Sequence, residues 1–172
     1  KATKARQVQS RVKELEKLYA VCALCCETKI NGKCSDGRLD ISGSATESAL
    51  TQLVNEAGID VKKMRKASPL IRVNHRSEKR LYMSTIHRTE EKGQLLVMVK
   101  GSPLEVLSRC DFHIRDSKRQ SLTREIRKQI EQANESMAKD ALRVLGFAYC
   151  HMETQDLEEK DREPEVHMTW LG

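Results

Sequence analysis

The sequence predicts an α+β fold, an antiparallel β-sheet flanked by helices, and three features carry that prediction. Apolar residues recur every three or four positions near the N-terminus and again between residues 122 and 138. β-rich, alternating segments crowd between residues 69 and 100. A stretch apolar on both faces follows near residue 145, as a strand in the middle of a sheet requires.

From Gln7 to about Thr28, Val8, Val12, Leu15, Tyr19, Cys22 and Cys26 form one helical stripe. The segment INGKCSDGRLDISG is rich in Gly, Asp and Ser and reads as a loop, with room for a short hairpin. Ser44 and Glu47 then form an S-x-x-E capping box, with Ala49, Leu50, Leu53 and Val54 as the apolar face of a helix that Gly58 stops. LIRV, RLYMSTIH and QLLVMVK read as strands, the last two joined by the turn-like RTEEKG into an antiparallel hairpin. Ser102, with Pro103 at the first helical position and Glu105 three residues on, starts a short helix that runs to about Arg109. Leu122, Ile126, Ile130, Ala133 and Met137 stripe a longer helix from Leu122 to Ala138, and ALRVLGFAYC forms the central strand. Residues 153–165 are acidic and lack a core pattern, so they read as an exposed connection to a last strand, VHMTWL.

The 172 residues suit one domain, residues 1–172, and no run approaches the roughly 18 apolar residues that cross a bilayer. With no initiator Met and no leader, the chain reads as an internal piece of a longer protein. The formal charge of +6 favours an anionic partner, but six scattered aromatics without aromatic and basic interleaving argue against nucleic acid. Six cysteines leave two readings open. Cys22, Cys25 and Cys26 are buried apolar groups on a helix face, or Cys22, Cys25 and Cys34 hold a metal or redox centre.

Four segments in order resemble the nucleotide-binding domain of P-type cation-transporting ATPases. LEKLYAVCALCCET followed by SGSATESAL is similar to the family's C-x-L-C-type helix and T-E-x-A-L motif. SEKRLYMST is similar to its charged strand ending in Met-Ser, and VKGSPLEVLSRC to its K-G-A-P-E signature with a trailing Cys. ALRVLGFAY and EVHMTWLG resemble its L-R-V-L-A strand and the segment leading out of the domain. The pattern resembles the calcium, sodium/potassium and magnesium branches, not the heavy-metal branch.

The resemblance implies ATP as ligand, with Mg²⁺ in the full-length pump, and assigns roles to particular residues. Glu47, which local sequence explains as a capping-box residue, corresponds to a glutamate lining the adenine pocket. Lys100, beside Gly101 at a strand end, corresponds to the lysine at the nucleotide; the glycine would let a base or phosphate approach the backbone. Arg143, otherwise a solvated strand arginine, would face phosphate. One departure is plain. The family's adenine-stacking Phe falls seven positions before the Met-Ser pair, at Arg76 here, so Arg76, His75 or Tyr82 would stack in its place, or ATP binding is weaker. Leu81 stands where the family often has lysine, with Arg80 as the nearest substitute.

The family's phosphorylated aspartate lies in a D-K-T-G-T segment that is absent here, as are the T-G-E-S and G-D-G-x-N-D motifs. No residue of this chain is therefore expected to be catalytic. Its expected task is to bind ATP on the cytoplasmic side of a membrane, as part of an integral membrane protein, and to deliver it beside the phosphorylation and actuator domains of the same polypeptide. The alternative is a regulatory or interaction module that keeps the fold and no longer binds ATP.

Overall fold

The computed structural model describes residues 15–157 and 163–172. Helix α1 covers residues 15–24 of this range; the expected helix before residue 15 lies outside it. The helix ends near Cys25 rather than Thr28. Arg65 donates from Nε to the Ala23 carbonyl at 3.0 Å and from Nη1 to the Thr28 carbonyl at 2.6 Å, satisfying acceptors that a longer helix would have bonded internally.

The Gly-rich loop holds a hairpin of β1 (Lys29–Lys33) and β2 (Leu39–Ser42), turned by Gly37 at φ 84°. Helix α2 (Ala45–Glu56) is capped by Ser44, whose side chain accepts from the Glu47 N–H at 3.3 Å. Its inward face differs from the expected one. Thr51 and Val54 are buried while Leu53 is 45% exposed, because Thr51 bonds Thr28, in the segment between α1 and β1, at 2.9 Å. Helix α3 (Val61–Ala67), capped by Asp60, has no counterpart in the sequence reading: its seven residues carry only Val61 and Met64 as large apolar groups, too few to show a period.

A seven-stranded sheet follows, with β3 (Leu70–Asn74), β4 (Tyr82–Arg88), β5 (Gln94–Gly101), β6 (Cys110–Arg115), β7 (Lys118–Ser121), β8 (Gly146–Glu153) and β9 (Met168–Trp170). Its spatial order is β3-β4-β5-β8-β9-β6-β7, so β8 is central as its two-sided apolar pattern requires. The α+β class holds, but the sheet is mixed: β6 and β9 run parallel and every other pair is antiparallel. Hairpin β6–β7 has no counterpart in the sequence reading; Asp116 and Ser117, at φ 54° and 59°, make its two-residue turn.

Between β5 and β6, helix α4 (Pro103–Ser108) starts at Ser102 with Pro103 in its first turn, yet the Ser102 side chain makes no capping bond. Helix α5 (Arg124–Lys139) begins at Thr123, which accepts from the Ile126 N–H. The expected strand 141–150 starts only at Gly146, and Arg143 lies in the loop before it; Ala141 at φ 56° turns the chain there. A 3₁₀ turn, Thr154–Leu157, follows β8. The acidic connection is not exposed throughout: Pro164 and Glu165 are buried, since Glu165 pairs with donors under the sheet.

Strand alternation assigns the two layers. Tyr82, Ile86, Val97, Val99, Ala148 and Cys150 face α4 and the inner edge of α5, in one core with Val106, Leu107, Met168 and Trp170. Met83, Met98 and Phe147 face α1, α2 and α3, in a second core with Val21, Cys25 and Val54. Lys100 shares the parity of Met98 and therefore points to the α1–α3 side.

Candidate functional site

Antiparallel pairing places Lys100 opposite Met83 of β4 and Phe147 of β8, and Gly101 opposite Tyr82 and Gly146. The Ser44 cap fixes the first turn of α2 above this strand end, which brings Glu47 over Lys100. Lys100 Nζ donates to Glu47 Oε1 at 2.6 Å, with the two side chains 9% and 14% exposed. The second carboxylate oxygen faces the Glu27 backbone N–H at 3.4 Å. Glu47 therefore does not close a capping box by reaching back to Ser44; its carboxylate turns to the sheet.

Around this pair opens a cavity of about 560 Å³, within the size range of small-molecule sites. Its walls combine the start of α2 (Ser44, Thr46, Glu47), the β4 side (Arg76, Leu81, Met83), the β5–α4 junction (Lys100 to Pro103) and the loop before β8 (Arg143 to Leu145). Five of the eight sequence-designated residues, Glu47, Arg76, Lys100, Gly101 and Arg143, thus meet at one cavity. Arg76 and Arg143 are exposed, so their guanidinium groups stay solvated at its rim.

The other three are placed elsewhere. Tyr82 follows the opposite strand parity, is 2% exposed, and packs in the core under α4, with the guanidinium carbons of Arg80 and Arg109 at 4.4 and 5.4 Å from its ring centre. Arg80 is committed to Glu165 on that same side. His75 is exposed and pairs with Glu27 at 3.3 Å, beside the cavity without lining it. Gly101 also serves a purpose other than the expected one. A Cβ there would lie 2.4 Å from Tyr82 Cα and 2.5 Å from the Leu81 carbonyl oxygen, so the missing side chain admits the neighbouring strand's backbone.

Sequence reasoning leaves eight lining residues unassigned to the site, among them Thr46, Met83, Ser102 and Val144, and their sequence signal is partial. Met83 pairs with Lys100 once the β4–β5 register is known, whereas Val144 became a wall residue only because strand β8 starts late. A second cavity, of about 500 Å³, lies between hairpin β1–β2 and the α2–α3 turn. Its one carboxylate, Asp60, caps α3, and its cations Lys33 and Lys62 have no converging partner in the lining. The first cavity is therefore the one with chemistry suited to an anion.

The thiols belong to the cores. Burial pushes Cys22 up to about 11 and Cys25 up to about 12, and the Cys25 Sγ donates toward the Met83 and Met98 carbonyls at 3.6 and 3.5 Å. Cys34 is exposed on the hairpin instead. Among the described residues no three His, Cys, Asp or Glu side chains are gathered as a metal ion needs, so the Cys22, Cys25 and Cys34 centre is not formed. Nor is any described helix long and apolar enough to cross a membrane.

The family described as P-type ATPase, cytoplasmic domain N, matches residues 14–172. The chain is 35% identical over 62% of its length to calcium-transporting ATPase 1 of Lactococcus lactis, covering 12% of that protein. It is 30% identical over 86% of its length to calcium-transporting ATPase lmo0841 of Listeria monocytogenes, and 31% identical over 65% to the sodium/potassium-transporting ATPase subunit alpha-3 of Gallus gallus. It spans 16% and 11% of those two proteins. With the family matched over nearly the whole chain, and with an α+β fold to suit, this chain belongs to the P-type cation ATPases as their cytoplasmic domain N.

Proposed function

We propose that the cavity between α2, β5 and the loop before β8 binds ATP, and that the domain carries it to a phosphorylation site on a neighbouring domain of the same polypeptide. The convergence of Lys100, Arg76 and Arg143 from three separate stretches of chain onto one open cavity is the observation that carries this reading. Arginine forks suit phosphate oxygens, and the Lys100 ammonium, held by Glu47 at 2.6 Å, adds a third donor group at the same cavity. The longer protein would then be a cation pump whose ion path, phosphorylated aspartate and dephosphorylation residues lie outside this chain. Because such a carrier must release its cargo, modest affinity is adequate; a millimolar constant corresponds to roughly 4 kcal/mol.

The lining suits the nucleotide better than its metal. Glu47 is the cavity's single carboxylate among the described residues, and it is paired with Lys100, so no free carboxylate is offered to Mg²⁺. This chain therefore supplies charge and orientation to the triphosphate and holds no Mg²⁺ of its own.

Titration of the 172-residue chain with ATP, followed by amide chemical shifts, tests the proposal. Shifts should cluster at Glu47, Arg76, Lys100 and Arg143, and Lys100→Ala should weaken binding by about tenfold or more, the scale of one lost charged hydrogen bond. Silence at those amides would favour the alternative, a module that has kept the fold without the ligand.

A further inference from the structure

We infer that this cavity recognises the triphosphate and is nearly indifferent to the base, so that its ligand class is nucleoside triphosphates in general rather than ATP in particular. The inference rests on the nucleotide-binding reading above and narrows it.

Three features of the lining carry it. First, among the described residues no aromatic ring lines the cavity. The nearest one in register, Phe147 opposite Lys100, is packed into the core with α1 to α3. At the cavity rim, where the family resemblance implies a stacking ring, Arg76 presents an exposed guanidinium, which can lie against a base or a phosphate. Second, the one acceptor-only side chain of the lining, suited to an exocyclic amino donor, is already engaged. Glu47 holds Lys100 Nζ at 2.6 Å on one oxygen and faces the Glu27 N–H at 3.4 Å with the other. Third, the remaining polar side chains of the lining are the hydroxyls of Ser44, Thr46 and Ser102, and a hydroxyl both donates and accepts, so it does not tell an amino group from a carbonyl. Against this stand two guanidinium groups, Arg76 and Arg143, with no ion-pair partner among the described residues, which attract anions whatever base they carry.

Binding of ATP, GTP, CTP and inorganic tripolyphosphate to the 172-residue chain, compared at one ionic strength without Mg²⁺, tests the inference. The four dissociation constants should fall within about threefold of one another, less than one net hydrogen bond supplies. All four should weaken together as salt rises. Arg76→Phe, at an exposed position, should tighten the three nucleotides relative to tripolyphosphate by about tenfold, the lower range of one base–aromatic stack. Glu47→Gln frees Lys100 and should tighten all four ligands in parallel. ATP binding tenfold tighter than CTP and tripolyphosphate would overturn the inference and leave the ATP-binding proposal standing. So would a Glu47→Gln variant that loses ATP selectively. Failure of all four ligands to bind would overturn both.

Discussion

Glu165 is the residue whose removal should reveal how the C-terminal segment is held. It is 1% exposed, accepts from Asn74 Nδ2 at 3.0 Å, and also accepts from Ser84 Oγ and Arg80 Nη2. Glu165→Ala deletes those bonds and leaves the Arg80 guanidinium without its anion. Breaking a fully buried ion pair costs about 3 to 5 kcal/mol, and since the Arg80 side chain is 27% exposed and reaches water, the lower end applies, about 3 kcal/mol. For a domain of this size that is roughly 6 to 12 °C in Tm. Urea denaturation of Glu165→Ala, Arg80→Ala and the double variant measures it: the midpoint should fall with m unchanged, and the cycle should show a coupling energy of about 1 to 3 kcal/mol. A loss below about 1 kcal/mol, or additivity of the two single variants, would refute the idea that this pair pins residues 163–170 to the sheet.

Three further outcomes follow from particular contacts. Gly101→Ala forces a Cβ to within 2.4 Å of Tyr82 backbone, and should lower stability by about 2 to 3 kcal/mol in a thermal melt, whereas Gly32→Ala, with nothing inside 4 Å, should be nearly neutral. Alkylation of the native protein at pH 8 should label Cys34 first by intact mass. Cys22, at about 11, and Cys25, Cys110 and Cys150, each at about 12, stay protonated and should react only after unfolding. Burial pushes His87 below its ordinary value of 6.5, so the unfolded chain takes up that proton first. Stability should therefore decline as pH drops from about 6.5 toward the folded value, and His87→Gln should flatten that part of the urea-midpoint profile against pH; an unchanged slope would show that the imidazole is not the group responsible.

Much of this fold could be read in advance wherever local chemistry and tertiary context agree. The Ser44 cap, the Gly58 stop and the β4–β5 hairpin all express short-range rules, and each appears where those rules put it. The misses have two causes. Helix α3 and strand β7 are short and rich in Lys and Arg, so they owe their form to neighbours rather than to their own apolar period, whereas β6 does alternate Cys110, Phe112 and Ile114 with polar residues, over only six positions. Residue Arg143 illustrates the same limit at the site. Its segment, ALRVLG, has strand composition throughout, yet only the part from Gly146 finds ladder partners, and Arg143, Val144 and Leu145 before it become cavity wall.

The division of the site residues follows from one fact that no local pattern contains, the parity of β4 and β5. Because side chains alternate across a strand, the register Met83↔Lys100 and Tyr82↔Gly101 puts the lysine toward α2 and the tyrosine toward α4. Tyr82 and Arg80 are thus excluded from the cavity by the same geometry that admits Lys100. Arg80 consequently pairs with Glu165, and among the described residues the cavity is left with cations, Glu47, hydroxyls and aliphatic walls but no ring. The proposed triphosphate recognition with little reading of the base would be the chemical consequence of that parity, and a ring introduced at position 76 is the substitution that would reverse it.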